Sequence, residues 1–142
     1  MNSDEIRAAL RNVRGFDGVY SADTLPPPPH LSICNTKSSD DIGEHWVCVS
    51  INSSCEGTYF DSYGLQPPPI LREYMNTNCV YWTFNRKRIQ SVISHVCGHY
   101  CILYVLLRLN GFSMSSIVAS FTDDTAFNDV ITHQIVCTFI NR

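Results

Sequence analysis

His45-Trp46-Val47-Cys48-Val49-Ser50-Ile51 leads into Asn52-Ser53-Ser54-Cys55-Glu56-Gly57 and comes back as Thr58-Tyr59-Phe60-Asp61-Ser62. The first run is rich in strand formers, the second has the composition of a turn, and the third returns as a strand, so the stretch predicts a β-hairpin closed by Tyr63-Gly64. Antiparallel pairing brings the start of one strand beside the end of the other. His45 and Asp61 therefore meet at the same end of the pair, an imidazole beside a carboxylate on a rigid mount.

Outward from the hairpin, residues 30–34 predict a further strand, after a stiff proline run at 26–29. Gly18-Val19-Tyr20-Ser21 is a short extended piece, and Ser3-Asp4-Glu5 can cap a first helix that shows Ile6 and Leu10 on one face. Residues 37–43 are polar and expected to form an exposed loop. Downstream, prolines 67–69 open a short helix over 70–76, and 79–84 predict a third strand of the hairpin's sheet. Residues 86–96 are a loop. Residues 97–109 are apolar nearly all round, which predicts a buried helix, stopped by Asn110-Gly111. A short helix over 113–121 follows. Asp123 or Asp124 then caps a last one, with Phe127, Val130, Ile131 and Ile135 as its expected apolar face. Helices around a small, mainly antiparallel sheet make an α+β class protein.

The 142 residues suit one domain spanning 1–142. A net charge of −3 gives no global sign of a nucleic-acid or membrane-surface binder. The longest apolar run stops at Arg108, short of a membrane span. Met1-Asn2-Ser3-Asp4-Glu5 lacks the basic start and apolar core of a signal peptide, so an intracellular protein is expected. The odd count of seven cysteines then favours reduced thiols, most of them small buried hydrophobes.

One cysteine differs in position. Cys97 opens the buried helix, where the helix dipole favours thiolate, and Gly98 beside it carries no side chain to hinder an approaching substrate. On this local pattern alone, core packing is the more economical reading of Cys97. A nucleophilic thiol needs a base, and the base needs an orienting partner. His95 and His99 each lie two residues from Cys97, and residues two apart on a helix do not face each other. His30 follows the prolines, and His133 has no evident carboxylate partner. His45 is left, with Asp61 able to hold one imidazole nitrogen and turn the other to sulfur. Taken singly, a histidine at a strand edge is ordinary surface and Asp61 an ordinary turn aspartate. The Cys97 N–H at the helix start would be one oxyanion donor, and Gln90 in the preceding loop a second, although taken singly Gln90 is an ordinary solvated glutamine.

The order His45-Trp46, Phe60-Asp61-Ser62-Tyr63-Gly64, Gln90, Ser94-His95-Val96-Cys97-Gly98 resembles the adenoviral protease family (adenain-like, with a papain-like arrangement). It is also similar to proteases that remove ubiquitin-like modifiers. The resemblance covers about residues 45–101. It implies a thiol protease, a viral-protein hydrolase of virion maturation, with Cys97 as nucleophile, His45 as base, Asp61 as orienter and Gln90 in the oxyanion hole. Trp46 would wall the cleft. Substrates would be viral or element-encoded precursor proteins with small, Gly-rich residues before the cut. The chemistry would need no cofactor and no metal. Cys79 stands where the adenoviral enzymes bond an activating peptide, which implies a disulfide-linked peptide cofactor there, with a buried strand cysteine as the alternative. Those enzymes also use DNA; here the only basic cluster is Arg86-Lys87-Arg88, so weak or absent DNA binding is expected. The chain is shorter than the adenoviral enzymes, so surfaces they use for cofactor contact are expected to be reduced. A monomer acting in the host nucleus or the virion fits this reading, from a virus or a virus-like DNA transposon.

Three other readings stand beside it. A deconjugase of ubiquitin-like modifiers shares the chemistry but needs a large docking surface. A non-catalytic protein-binding module would have had no reason to keep His45, Asp61, Gln90 and Cys97 together. A zinc site at Cys97, Cys101 and a histidine lacks the paired two-residue cysteine spacings of structural zinc sites.

Overall fold

The computed structural model describes residues 1–40 and 45–142, so residues 41–43 of the expected polar loop lie outside it. The chain enters through α1 (Ser3–Leu10). Its cap is Asn2, one residue before the expected Ser3. The Glu5 N–H donates to Asn2 Oδ1 (2.9 Å), and the Asn2 N–H donates to the Glu5 carboxylate (2.8 Å). This reciprocal pair satisfies two backbone donors that a helix start otherwise leaves open.

Five strands follow in spatial order β1 (Gly18–Tyr20), β2 (His30–Asn35), β3 (Trp46–Ile51), β4 (Glu56–Phe60) and β5 (Tyr81–Phe84). The expected hairpin is β3–β4, with Cys48 opposite Phe60 and Ile51 opposite Gly57. The sheet is mixed rather than mainly antiparallel: β2–β3 and β3–β4 are antiparallel, but the outer pairs β1–β2 and β4–β5 are parallel. The connections account for this. Helix α2 (Pro69–Asn78) carries the chain from the end of β4 back to the start of β5, so β5 must re-enter in the same sense. The proline-rich connection does the same between β1 and β2.

Strand alternation splits the core into two layers. Val47, Val49 and Ile51 of β3 pack with Leu71 and Met75 of α2. Cys48 faces the other way, into a cluster with Ile6, Leu10, Tyr100, Ile102, Tyr104 and Val136. Both faces of the sheet are therefore covered, and β2 is buried at every position. On the second face lies α3 (Cys97–Leu109), buried from Tyr100 to Val105 as its composition predicts. Phe60 of β4 stacks on Tyr104 of α3, with ring centroids 4.2 Å apart and planes 10° off parallel. This contact fixes the end of the hairpin against the helix.

Helices α4 (Met114–Ala119) and α5 (Thr125–Ile140) complete the chain. Here the sequence expectation fails. Phe127, Val130 and Ile135 are exposed, and α5 turns Asn128, Thr132 and Val136 inward. Asn128 chooses the face. Its Nδ2 donates to Ile89 O (3.0 Å) and Thr122 O (2.8 Å), and its Oδ1 accepts from the Thr122 N–H (3.0 Å). A fully bonded buried amide outweighs a poorly covered apolar stripe. Among the described residues, no helix is long and apolar enough to cross a membrane.

Candidate active site

The residues just past the ends of the hairpin come together as the register requires. His45 immediately precedes β3, and Asp61 immediately follows β4. His45 Nε2 lies 2.7 Å from Asp61 Oδ1. The same oxygen accepts the Tyr63 N–H (2.8 Å), a turn that fixes the carboxylate. Asp61 is buried, and its backbone is clamped by Asn85: the Asp61 N–H donates to Asn85 Oδ1 (2.9 Å), and Asn85 Nδ2 donates to Asp61 O (2.7 Å). The Tyr63 ring stacks on His45, centroids 4.7 Å apart. The imidazole is thus held at its edge by a carboxylate and at its face by a phenol ring.

Cys97 is the first residue of α3, and the cap position before it, Val96, supplies no side-chain hydrogen bond. The first-turn N–H groups of the helix are therefore not taken by a capping side chain. Burial alone would raise the Cys97 thiol. The hydrogen bond with His45, N–H groups of Trp46 and Gly98 aimed at the sulfur, and the imidazole's charge overcome that and hold it below its ordinary value. Burial alone would lower the His45 pKa, but its bonds to Asp61 and Cys97 prevail and raise it to about 9. Both shifts favour thiolate with imidazolium over thiol with neutral imidazole. Cys34, Cys79 and Cys101 shift the other way, each chiefly through burial.

Cys97 opens on a cleft of about 730 Å³, lined also by Trp46, Met1, Tyr20, Asn35 and His95. Trp46 is a fixed wall, because its Nε1 donates to Met1 O (3.0 Å). Gly98 is placed elsewhere: a Cβ there would meet Met1 Cβ at 3.1 Å and Ile6 Cδ1 at 3.5 Å. The missing side chain lets α1 approach α3, rather than opening a path to the sulfur.

Gln90 is completely buried. The Ser62 hydroxyl donates to its Oε1, and its Nε2 donates to Ser94 Oγ (3.0 Å), with Ser94 O (3.3 Å) and Tyr63 Oη (3.4 Å) nearby. It therefore ties the loop before α3 to the turn after β4. That loop is also pinned by Tyr100, whose hydroxyl donates to Ile89 O (3.0 Å) and lies 2.8 Å from Asp129 Oδ1. Cys79 is not drawn into this site. It caps the C-terminus of α2, half-buried and unbridged, beside Gly57 and Met75.

Asn85, Ser62 and the ring of Tyr63 were missed as site residues in the sequence. Ser62 and Tyr63 lie inside the quoted Phe60–Gly64 motif, which was the available signal; Asn85 follows β5 with nothing local to mark it. His30 is structural, its ring nitrogens bonded with Ser32 Oγ (2.9 Å) and Tyr74 Oη (2.7 Å). Among the described residues, Cys97 and Cys101 belong to no cluster of metal-ligating groups.

No family model matches the sequence, and no curated protein matches it. Among solved structures, the chain is similar to a crystal structure of the selenomethionine form of the ASFV pS273R protease, at 24% identity and a TM-score of 0.49. The match covers 72% of this chain and 43% of that one, so this chain spans less than half the length of that protease.

Proposed function

We propose that the chain is a cysteine endopeptidase of the adenoviral-protease type, cleaving precursor proteins after small, Gly-rich residues. The observation that supports this reading is the line Asp61–His45–Cys97 at the start of a buried helix, with His45 Nε2 2.7 Å from Asp61 Oδ1 and the imidazole and thiol shifting each other towards the ion pair. A thiolate paired with an imidazolium attacks the scissile carbonyl carbon. A C–S bond forms, and the carbonyl oxygen takes the negative charge, facing the Cys97 N–H at the helix start. The His45 imidazolium gives its proton to the leaving amine as the C–N bond breaks. His45 then takes a proton from water, the resulting hydroxide attacks the acyl carbon, and the thiolate leaves. Gln90 has two amide hydrogens, and donating one to the oxyanion means exchanging one of its contacts to Ser94 or Tyr63. The cleft wall at Trp46 suits a substrate without side chains near the sulfur.

Cys79 is where we place a disulfide-linked activating peptide, since its thiol is unbridged and partly exposed. Supplied as a mixed disulfide with a small thiol, which leaves as the peptide's sulfur bonds to the Cys79 thiolate, a cysteine-containing peptide would then be found on Cys79 by peptide mapping of Cys97→Ala, and mapping of Cys79→Ser would show no peptide at that position.

Peptides with Gly-Gly before the cut, and a Gly-Gly vinyl sulfone, test the proposal. Hydrolysis and a covalent adduct on Cys97 are expected, both abolished in Cys97→Ala. If neither occurs, with or without activating peptides, the endopeptidase reading fails and a binding module takes its place.

A further inference from the structure

We propose that His99, His133 and Cys137 form a binding site for a divalent metal ion of the zinc class, bridging α3 and α5. His133 and Cys137 are four residues apart on α5 and so share one helix face. His99 reaches them from α3, its ring 4.9 Å from that of His133. One ligand atom from each of the three lies within 4.8 Å of the other two. Cys137 Sγ is 3.6 Å from His133 Nε2 and 3.8 Å from its Nδ1. Ligands at ordinary zinc bond lengths in a tetrahedron stand about 3.5 Å apart for an N,S pair, so these two need little movement.

A second observation points to a missing ligand. His99 Nδ1 is buried and has no hydrogen-bond partner, although buried polar atoms nearly always find one. A metal ion between the helices would give the His99 ring a partner. A fourth coordination position is open, because His99 and Cys137 line a cavity of about 790 Å³ shared with Glu5 and Asn12. Water from that cavity can fill it. So can the Glu5 carboxylate, which spends its Oε2 on the Asn2 N–H.

Two imidazoles with one thiolate are a donor set for zinc rather than for magnesium or calcium, which take oxygen. Binding replaces the S–H bond of Cys137 with a metal–sulfur bond and releases one proton to solvent. His99 follows Cys97 by two residues, so it points away from the sulfur, and the metal would brace the nucleophile helix without touching the reaction.

Cobalt titration followed by absorbance tests the site, with wild type, Cys97→Ala, Cys137→Ser and His133→Ala compared, and zinc added last. His133 is exposed and Cys137 only partly buried, so neither variant threatens the fold; circular dichroism verifies this. Wild type and Cys97→Ala should each take one cobalt with a thiolate-to-cobalt charge-transfer band, and zinc should displace it. Cys137→Ser should lose the band, and His133→Ala should bind about tenfold or more weakly. A band that survives in Cys137→Ser, one lost only in Cys97→Ala, or no band in any protein overturns the proposal. None of these readouts depends on proteolytic activity.

Discussion

Asp61 carries two jobs in one carboxylate, orienting His45 and closing the turn to Tyr63. Asp61→Ala is expected to lower kcat about 10²–10⁴-fold while KM changes little, because the carboxylate never meets substrate in this account. Steady-state kinetics on a Gly-Gly peptide would measure it, and a purely KM effect would argue against the orienting role. Asn85 should matter in the same direction but less, since it holds only the Asp61 backbone. At this scale the sequence was legible where a residue's partner could be found by register. His45 and Asp61 were such a pair. Asn85 and Tyr63 were not, because their roles come from contacts that β5 and a tight turn create in space. The absent side chain of Gly98 matters, but for another neighbour than the expected substrate: Met1 and the α1 residue Ile6 fill the space beside it.

Elements followed pattern where pattern was strong. Helix α3 lies where the apolar run places it, and the hairpin forms as strand composition predicts, with β4 starting at Glu56, inside the expected turn, and ending at Phe60. Parallel pairing at β4–β5 follows from α2 acting as a crossover between those strands. The inward face of α5 could not be read from apolar periodicity, since a buried amide with three hydrogen bonds to the backbone decides it. Asn128→Ala should therefore destabilise the protein by about 2 kcal/mol or more, because it strands the carbonyls and N–H that Asn128 serves. Ile135→Ser, on the exposed face, should cost at most about 0.5 kcal/mol. Thermal or denaturant unfolding of the two variants separates these expectations; equal losses would mean that α5 is rotated. Gly64→Ala should also be costly. Gly64 has φ of 69°, and a Cβ there would sit 2.7 Å from Arg86 O.

Across the whole molecule, the two buried layers hold the sheet end and the start of α3 in fixed relation, so the site's electrostatics are built in before substrate arrives. The active form needs Cys97 deprotonated and His45 protonated. Because Cys97 is held below its ordinary value and His45 is raised to about 9, kcat/KM should plateau around neutral pH. It should fall on the acid side as Cys97 protonates, and above about pH 9 as His45 loses its proton. A profile still rising through pH 9 would mean that the thiol is not activated. DNA should leave the rate unchanged within about twofold at physiological salt. The chain is net negative, and in its one basic cluster Lys87 is paired with Asp123 at 3.3 Å while Arg86 lies over Phe84.

Activation of Cys97 by His45 is read from the alkylation rate of each cysteine against pH, followed by mass spectrometry, in wild type and His45→Ala. In wild type, Cys97 should react fast well below pH 8, ahead of Cys34, Cys79 and Cys101, and should lose that advantage without His45. If Cys97 in wild type reacts no faster than those three thiols, or reacts equally fast in His45→Ala, the pair is not a catalytic one.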